Sequence, residues 1–416
     1  MADRTVAPVR SGERLKSLDT LRGFALLGIL VPNIIAFGWP QSAAMDFRVM
    51  GDTPANELGY DITSMVFLGK FMFNFAMLFG AGVIVYAQKY EREDGPTRLA
   101  RGAGLWHRRC AILLGFGLVH AYLFWYGDIL TWYAVAGLTL LWWVRRIPIS
   151  IQLMLAGVSY VIGLVLMLGL TLLGIWAVGE GHIDASQLVG VDPVHEIESY
   201  RGSWSTAFMI RFPAVLSMHL IVLPMFLPLV WGIMMLGMVL TRNGVLCGER
   251  SLGFYLLTGA GGVLIGGVAT YFVFAWLHAP GFEFGGLIWR AIAQAVGIPL
   301  ALGYAMLVVA MTKARLLNLI TTPLAAVGRM ALTNYFLHTL LCTTFFYGHG
   351  LGYFASIEYP ALWLVIGAVW SVNIVFSLLW LRFFRFGPFE WLWRCMTYGK
   401  LLPILHTPST HAQPTP

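Results

Sequence analysis

Charge is what this sequence has least of. Only 11% of its 416 residues are Asp, Glu, Lys or Arg, against about 25% in an average soluble domain. A surface that poor in charge does not keep a chain of this size in water, which excludes a lone soluble enzyme and a disordered chain. Cysteine is scarce too. Cys110, Cys247, Cys342 and Cys395 show neither CxxC spacing nor a paired-histidine pattern, so no disulfide scaffold and no metal site is expected. The net charge of +7 is dispersed among apolar runs and forms no basic stripe, which excludes a nucleic-acid partner. There is no internal repeat of fixed period, and hence no sign of a transporter made of duplicated halves.

Apolar bulk is what fills the chain: 58% of residues are hydrophobic, including 16 Trp, 27 Phe and 18 Met. A membrane-spanning helix needs roughly 17–25 predominantly apolar residues. Runs of that kind lie at 20–39, 62–87, 109–126, 128–144, 150–178, 213–240, 252–277, 288–311, 323–347 and 360–383. The expected fold is therefore all-α, a polytopic integral membrane protein with about ten transmembrane helices. Pro224 and Pro228 are expected to kink the sixth, because each removes a backbone donor. The first run follows a basic segment (Arg4, Arg10, Arg14, Lys16) without a small-x-small cleavage site, and reads as an uncleaved helix.

Lys and Arg mark cytoplasmic loops. They crowd the N-terminus, the 89–109 connection and the ends of later even-numbered helices, while the alternate loops hold only Arg48, Arg201 and Arg211. Both termini are thus expected in the cytoplasm. Residues 1–17 read as a cytoplasmic segment, 18–400 as one transmembrane domain, and 401–416, rich in proline, as a disordered tail. In the extracytoplasmic loop 179–212, Ile197, Tyr200, Trp204 and Phe208 recur at helical spacing. A short amphipathic helix on the outer membrane surface is expected there.

Ionisable and amide side chains at membrane depth are costly, and each is a default site candidate. At about 1.5 Å per residue, Asn33, Lys70, His120, Asp128, His219 and His338 fall into one band in the outer half of the bilayer, as do Asn74 and Asn334. A single polar cavity opening outward would collect them. His120 alone reads as an interior histidine. With Asp128 eight residues on, it becomes a general base with an orienting carboxylate. Lys70 must find a partner, shift its pKa or line water. Arg211, just before Pro213, either anchors to lipid phosphate or faces the cavity. Asn33 and Asn334 have a plain alternative in bonding backbone carbonyls across helices. Gly80, Gly82, Gly262 and Gly266 are expected at close helix contacts, and Trp125, Tyr126, Trp142 and Trp143 in interfacial belts.

Four stretches carry a family resemblance: LDTLRGFALLGILVPN (18–33), FNFAMLFGAGVIV (73–85), ESYRGSWSTAFMIR (198–211), and the pair GRMALTNYFLHT (328–339) with FGPFEWLWRCMTYG (386–399). Together they resemble the YeiB-like family of bacterial membrane proteins, whose function is not established. That resemblance implies a bacterial inner-membrane location. The first stretch, with its Asp19-x-x-Arg22-Gly23 opening, also resembles membrane acyltransferases of the heparan acetyltransferase and glycan O-acetylase type. That likeness implies a cytoplasmic acyl-CoA donor, an extracytoplasmic glycan, lipid or small-molecule acceptor, and histidine acid–base chemistry. It breaks at Asn33, where the O-acetylase pattern places its histidine, and an amide cannot accept a proton at neutral pH. His120, His219 or His338 would have to serve instead.

Three readings follow. In a membrane acyltransferase, His120 is the base, Asp128 its support, and Asn33 or Lys70 an oxyanion stabiliser. Asp19, Arg22, Asn74, Arg211, His219, Asn334 and His338 would contact donor or acceptor. In a transporter the same band binds a small anion or metabolite, with Lys70 as counter-charge. In a membrane assembly protein the polar groups only fix packing. No tightly bound cofactor is expected, and lipids are the constant partner.

Overall fold

The sequence's long apolar stretches fold as helices because nothing else satisfies backbone hydrogen bonds inside a bilayer. A computed structural model describes residues 11–44, 46–91, 96–183, 192–279, 284–314 and 317–406. Among these the chain is all-helical, save an isolated bridge between Phe384 and Leu405. Six helical stretches are long and apolar enough to cross a membrane: Lys16–Gly38, Pro54–Tyr90, Ile149–Gly179, Trp204–Arg242, Leu252–Leu277 and Tyr359–Phe383. A pair bent by 47°, Gly285–Val296 and Ile298–Ala314, adds a seventh, and Leu130–Val144 is a shorter apolar helix.

The helices are α1 (Ser11–Gly38), α2 (Pro54–Ile62), α3 (Lys70–Glu91), α4 (Pro96–Val119), α5 (Leu130–Ala136), α6 (Ile149–Gly179), α7 (Pro193–Arg201) and α8 (Trp204–Ser217). They continue as α9 (Leu223–Arg242), α10 (Leu252–Leu277), α11 (Gly285–Val296), α12 (Ile298–Ala314), α13 (Asn318–Arg329), α14 (Ala331–Phe346), α15 (Tyr359–Phe383) and α16 (Pro388–Tyr398). Helix α1 is central and 72% of its apolar window is buried, whereas the figure for α6 is 6%. The outer helices turn Val165, Leu257 and Leu364 outward, so apolar side chains face outside as well as in. Only a lipid environment tolerates that surface.

Small residues bring the central helices together. A Cβ on Gly80 of α3 would overlap the Met234 carbonyl of α9, and one on Gly237 would overlap the Met77 carbonyl. Gly262 and Gly266 of α10 meet Gly303 and Leu300 of α12, as expected. Gly82 does not behave so: nothing approaches the place of its Cβ within 4 Å.

Several long runs are interrupted where hydropathy is continuous. The 62–87 run breaks at Leu68–Gly69, after a π turn at Thr63–Phe67, with Gly69 at φ +80°. The 288–311 run bends at Gly297, beside Pro299, and the 323–347 run breaks at Met330. Ahead of Pro224 and Pro228, another π turn occupies Met218–Val222; proline's missing donor favours such a local change of winding. The third run begins earlier than hydropathy suggests, at Pro96.

The expected surface helix is two helices. Ser203 caps α8 by accepting the Thr206 amide, and Gly202 separates α8 from α7. Helix α7 packs inward: Tyr200 is buried, with its ring 4.7 Å from Tyr347 and 4.8 Å from Phe354. Arg201 donates to the Phe354 carbonyl at 2.7 Å, and the Trp39 indole to the Ile357 carbonyl at 2.8 Å. Residues 38–44 and 46–60, α7 and 347–359 thus knit into a cap over one end of the bundle. At the other end Lys16 of α1 donates to the Asn318 side chain of α13, and the Trp393 indole of α16 to the Arg109 carbonyl of α4. Trp125 and Trp142 are buried rather than interfacial, and Trp143 is exposed. Residues 401–406 are ordered against Phe383–Arg385, with the Arg385 amide on the Ile404 carbonyl at 2.8 Å. The remaining tail, 407–416, and residues 1–10 lie outside the described residues.

Candidate active site

Helix α4 ends in a π turn, His120–Phe124, closed by the Trp125 amide on the His120 carbonyl at 3.0 Å. Such turns are rare and concentrate at functional sites. The extra residue in the turn sets the His120 ring against α14, 4.8 Å from the Tyr335 ring and 5.3 Å from Phe336. A short connection then brings Asp128 back. Its Oδ2 accepts the Thr131 amide at 2.7 Å, capping the start of α5, and its Oδ1 lies 3.1 Å from His120 Nδ1. This is close contact without the alignment of a hydrogen bond. Catalytic pairs at rest are often so.

On the other side of the ring, His120 Nε2 meets the Thr339 hydroxyl at 2.8 Å. A carboxylate at Nδ1 favours the proton there, which makes Nε2 the acceptor of the Thr339 O–H. Asp128, His120 and Thr339 therefore form a line of carboxylate, imidazole and hydroxyl, all buried. The contact between His120 and Asp128 is the one the sequence anticipates. Thr339 is not anticipated, because it stands 219 positions away.

Arg211 neither anchors to lipid nor faces a cavity. It is buried, and its guanidinium donates to three carbonyls: Nε to Tyr122 at 3.2 Å, Nη2 to Leu123 at 2.9 Å and Nη1 to Phe124 at 3.0 Å. The last carbonyls of a helix have no partner within it, and a cation is favoured at that end. Arg211 thus holds the turn that carries His120. His219 belongs to the same neighbourhood, its Nδ1 3.4 Å from the Tyr122 hydroxyl.

The other candidates stand elsewhere. Lys70, one turn from the buried Asn74, lays its ammonium 5.2 Å from the Trp289 ring and 3.4 Å from the Ser64 carbonyl. Among the described residues no hydrogen bond or ion pair joins it to His120 or Asp128, so the single chamber expected for the whole polar band is not formed by direct contact. Asn33 is half-buried on α1, one turn before Phe37, whose ring stacks on Trp125 at 3.9 Å. Asn334 donates to the Val327 carbonyl at 3.2 Å and the Ser377 hydroxyl at 2.8 Å, bonding between helices. Among the described residues the His338 Nε2 is buried without a partner, as are both amide atoms of Asn373 on α15. Asn373 and Ser377 are further polar groups that the long apolar run around them conceals.

Asp19 and Arg22 pair with each other at 2.9 Å, near the uncapped end. Gly23 beside them crosses Gly328, and a Cβ on either would overlap backbone of the other helix. The first and last motifs of the sequence are therefore one helix junction. Glu390 in α16 accepts from the Leu332 and Thr333 amides at 2.6 and 3.1 Å, holding the start of the helix that carries Thr339. Beside it the Arg109 guanidinium lies 3.5 Å above the Trp393 ring, Arg394 faces Phe386, and Lys89 faces Tyr398. Two surface grooves are wholly or mainly apolar and away from these groups. One, of about 400 Å³, runs between Leu341, Phe345 and Val369; the other, of about 320 Å³, lies between Leu173 and Leu287. Among the described residues no three His, Cys, Asp or Glu converge as metal ligands.

The family described as "Protein of unknown function (DUF418)" matches residues 240–400, the part that holds Thr339 and Glu390 but not His120. The chain is 33% identical to the "Uncharacterized protein YeiB" of Escherichia coli (strain K12), over 94% of this chain and 98% of that protein. It is 30% identical to the "Uncharacterized protein YxaH" of Bacillus subtilis (strain 168), over 96% and 98%. No solved structure matches it. With relatives aligned over nearly their whole length, the chain belongs to the YeiB-like (DUF418) family of uncharacterized proteins.

Proposed function

We propose that this protein is a membrane acyltransferase in which His120 is the general base. The observation that carries this reading is the buried line of Asp128, His120 and Thr339, at 3.1 and 2.8 Å. A base needs one ring nitrogen oriented by a carboxylate and the other turned to the proton it takes. His120 has both. In the proposed reaction the acceptor hydroxyl or amine loses its proton as it attacks the acyl carbonyl. The Thr339 hydroxyl passes that proton to Nε2, and Asp128 stabilises the imidazolium. As the donor's carbon–sulfur bond breaks, the thiolate takes the proton back from His120.

The donor is an acyl-CoA, entering from the uncapped end. Lys89, Arg108, Arg109 and Arg394 gather there around Trp393, Tyr398 and Gly399, and cations of this kind suit the phosphates of CoA. The acceptor, a glycan, lipid or small molecule, approaches from the capped end. In this reading the chain crosses a bacterial inner membrane about ten times, counting α4 to Phe124, Leu130–Val144 and α14 as short or charged crossings. Both termini are cytoplasmic, which agrees with the basic side chains of the uncapped end. The test is transfer or hydrolysis of radiolabelled acyl-CoA by the purified protein. Turnover that is lost in His120→Gln supports the reading, and an inert wild-type protein across acyl chain lengths removes it.

A further inference from the structure

Lys70 is the most demanding group outside the His120 site. It is 1% exposed, and among the described residues no carboxylate lies within ion-pair distance of it. An ammonium has three donors, and among the described residues Lys70 meets only a long contact to the Ser64 carbonyl and the face of Trp289. Buried groups around it share the deficit. Among the described residues both amide atoms of Asn74, one helical turn along, have no partner, nor does the Trp289 indole N–H. The Gln294 side-chain oxygen is likewise unmatched, and its stem packs against Gly69. Folded proteins leave few buried polar atoms unpaired, and a cluster of them marks an absent partner.

The backbone is shaped for this cluster. The π turn at Thr63–Phe67 and the left-handed Gly69 precede Lys70, and α11 bends into α12 at Gly297. A Cβ on Gly297 would crowd Cε of Lys70, so that glycine lets the lysine stem lie across the bend. Broken helices within a membrane are tolerated where they line a binding site for charged groups.

We propose that Lys70, Asn74 and Trp289 form a site for a singly charged anionic group, a carboxylate or a phosphodiester. One buried ammonium neutralises one negative charge, and the Asn74 amide, one turn along α3, and the Trp289 indole N–H are further buried donors without a partner among the described residues. Arg290, the residue after Trp289, is exposed; a phosphate monoester would therefore bring excess buried charge. Among the described residues the site shares no hydrogen bond or ion pair with His120, and it stands whatever chemistry His120 performs.

The full chain in nanodiscs tests this by thermal unfolding, with sodium butyrate titrated against sodium chloride at equal ionic strength. The titration is run in phosphatidylcholine, and a second set of discs adds phosphatidylglycerol. A free carboxylate ligand gives a saturable rise in Tm with butyrate. A lipid phosphodiester gives the rise with phosphatidylglycerol instead. In whichever arm responds, Lys70→Met abolishes the response and Trp289→Phe, which keeps the ring and removes the N–H, weakens affinity several-fold. Lys70→Met also raises the ligand-free Tm, because it deletes an unmatched buried charge, whereas a lysine serving only the fold would lower it. A wild-type protein indifferent to both anions, or a Lys70→Met protein that responds as wild type or melts earlier without ligand, overturns the proposal.

Discussion

Replacing Arg211 with methionine isolates the claim that this residue positions the His120 turn. Three carbonyls lose a charged donor, those of Tyr122, Leu123 and Phe124. Leu123 keeps the Trp204 indole N–H at 3.2 Å, so two carbonyls are left unpaired. Each such buried acceptor costs about 1–3 kcal/mol. Removing the guanidinium also removes its own desolvation cost, which offsets part of the loss. The expected net destabilisation is about 2–4 kcal/mol, read from equilibrium unfolding in mixed micelles. Hydrogen exchange of amides 120–131 should accelerate in the same variant. Arg211→Lys should recover only a minor part, because one ammonium cannot span three carbonyls in the plane of a guanidinium. An Arg211→Met protein within about 0.5 kcal/mol of wild type, with exchange unchanged across that segment, would refute the reasoning and return Arg211 to a lipid or ligand role.

Other perturbations separate the packing and electrostatic claims. Gly237→Ala should cost about 1–3 kcal/mol, because its Cβ overlaps the Met77 carbonyl; Gly82→Ala, in open space on α3, should be neutral or stabilise by up to about 1 kcal/mol. Equal melting of the two variants would contradict the packing account. Burial pushes the Glu196 carboxyl in the cap up to about 7, against the opposing hydrogen bond from the Gln41 amide. The folded state thus holds a proton that the unfolded state releases near 4.5. Its contribution is fully present below that pH and is lost as pH rises through about 7, amounting to at most about 3 kcal/mol. Glu196→Gln should flatten Tm against pH across this window; an unchanged slope would count against it. Asp128→Asn should slow acyl transfer by about 10²–10⁴-fold while leaving the Thr131 cap in place through the amide oxygen; transfer at the wild-type rate would remove Asp128 from the mechanism.

The membrane class and most helices follow from hydropathy alone, because burial in lipid imposes one backbone solution. The breaks at Gly69, Gly297 and Met330 do not, since hydropathy is blind to dihedral angles. The contact of His120 with Asp128 was legible because one turn separates them along the chain. Thr339 and Tyr335 complete the same site from α14 and leave no local trace. Arg211 shows a different failure. A side chain that donates to backbone carbonyls has no sequence partner to find, so its proximity to Pro213 and to the membrane surface suggested lipid. Lys70 was legible as a buried cation, and its neighbour Trp289 was not, because an aromatic face 219 residues on looks like any other membrane tryptophan.

The most direct measurement is single-turnover transfer from radiolabelled acyl-CoA by the purified wild-type protein and by His120→Gln, each with its Tm. The account predicts turnover by the wild type and a loss of about 10²–10⁴-fold in a variant that still folds. Turnover by His120→Gln at the wild-type rate would contradict it.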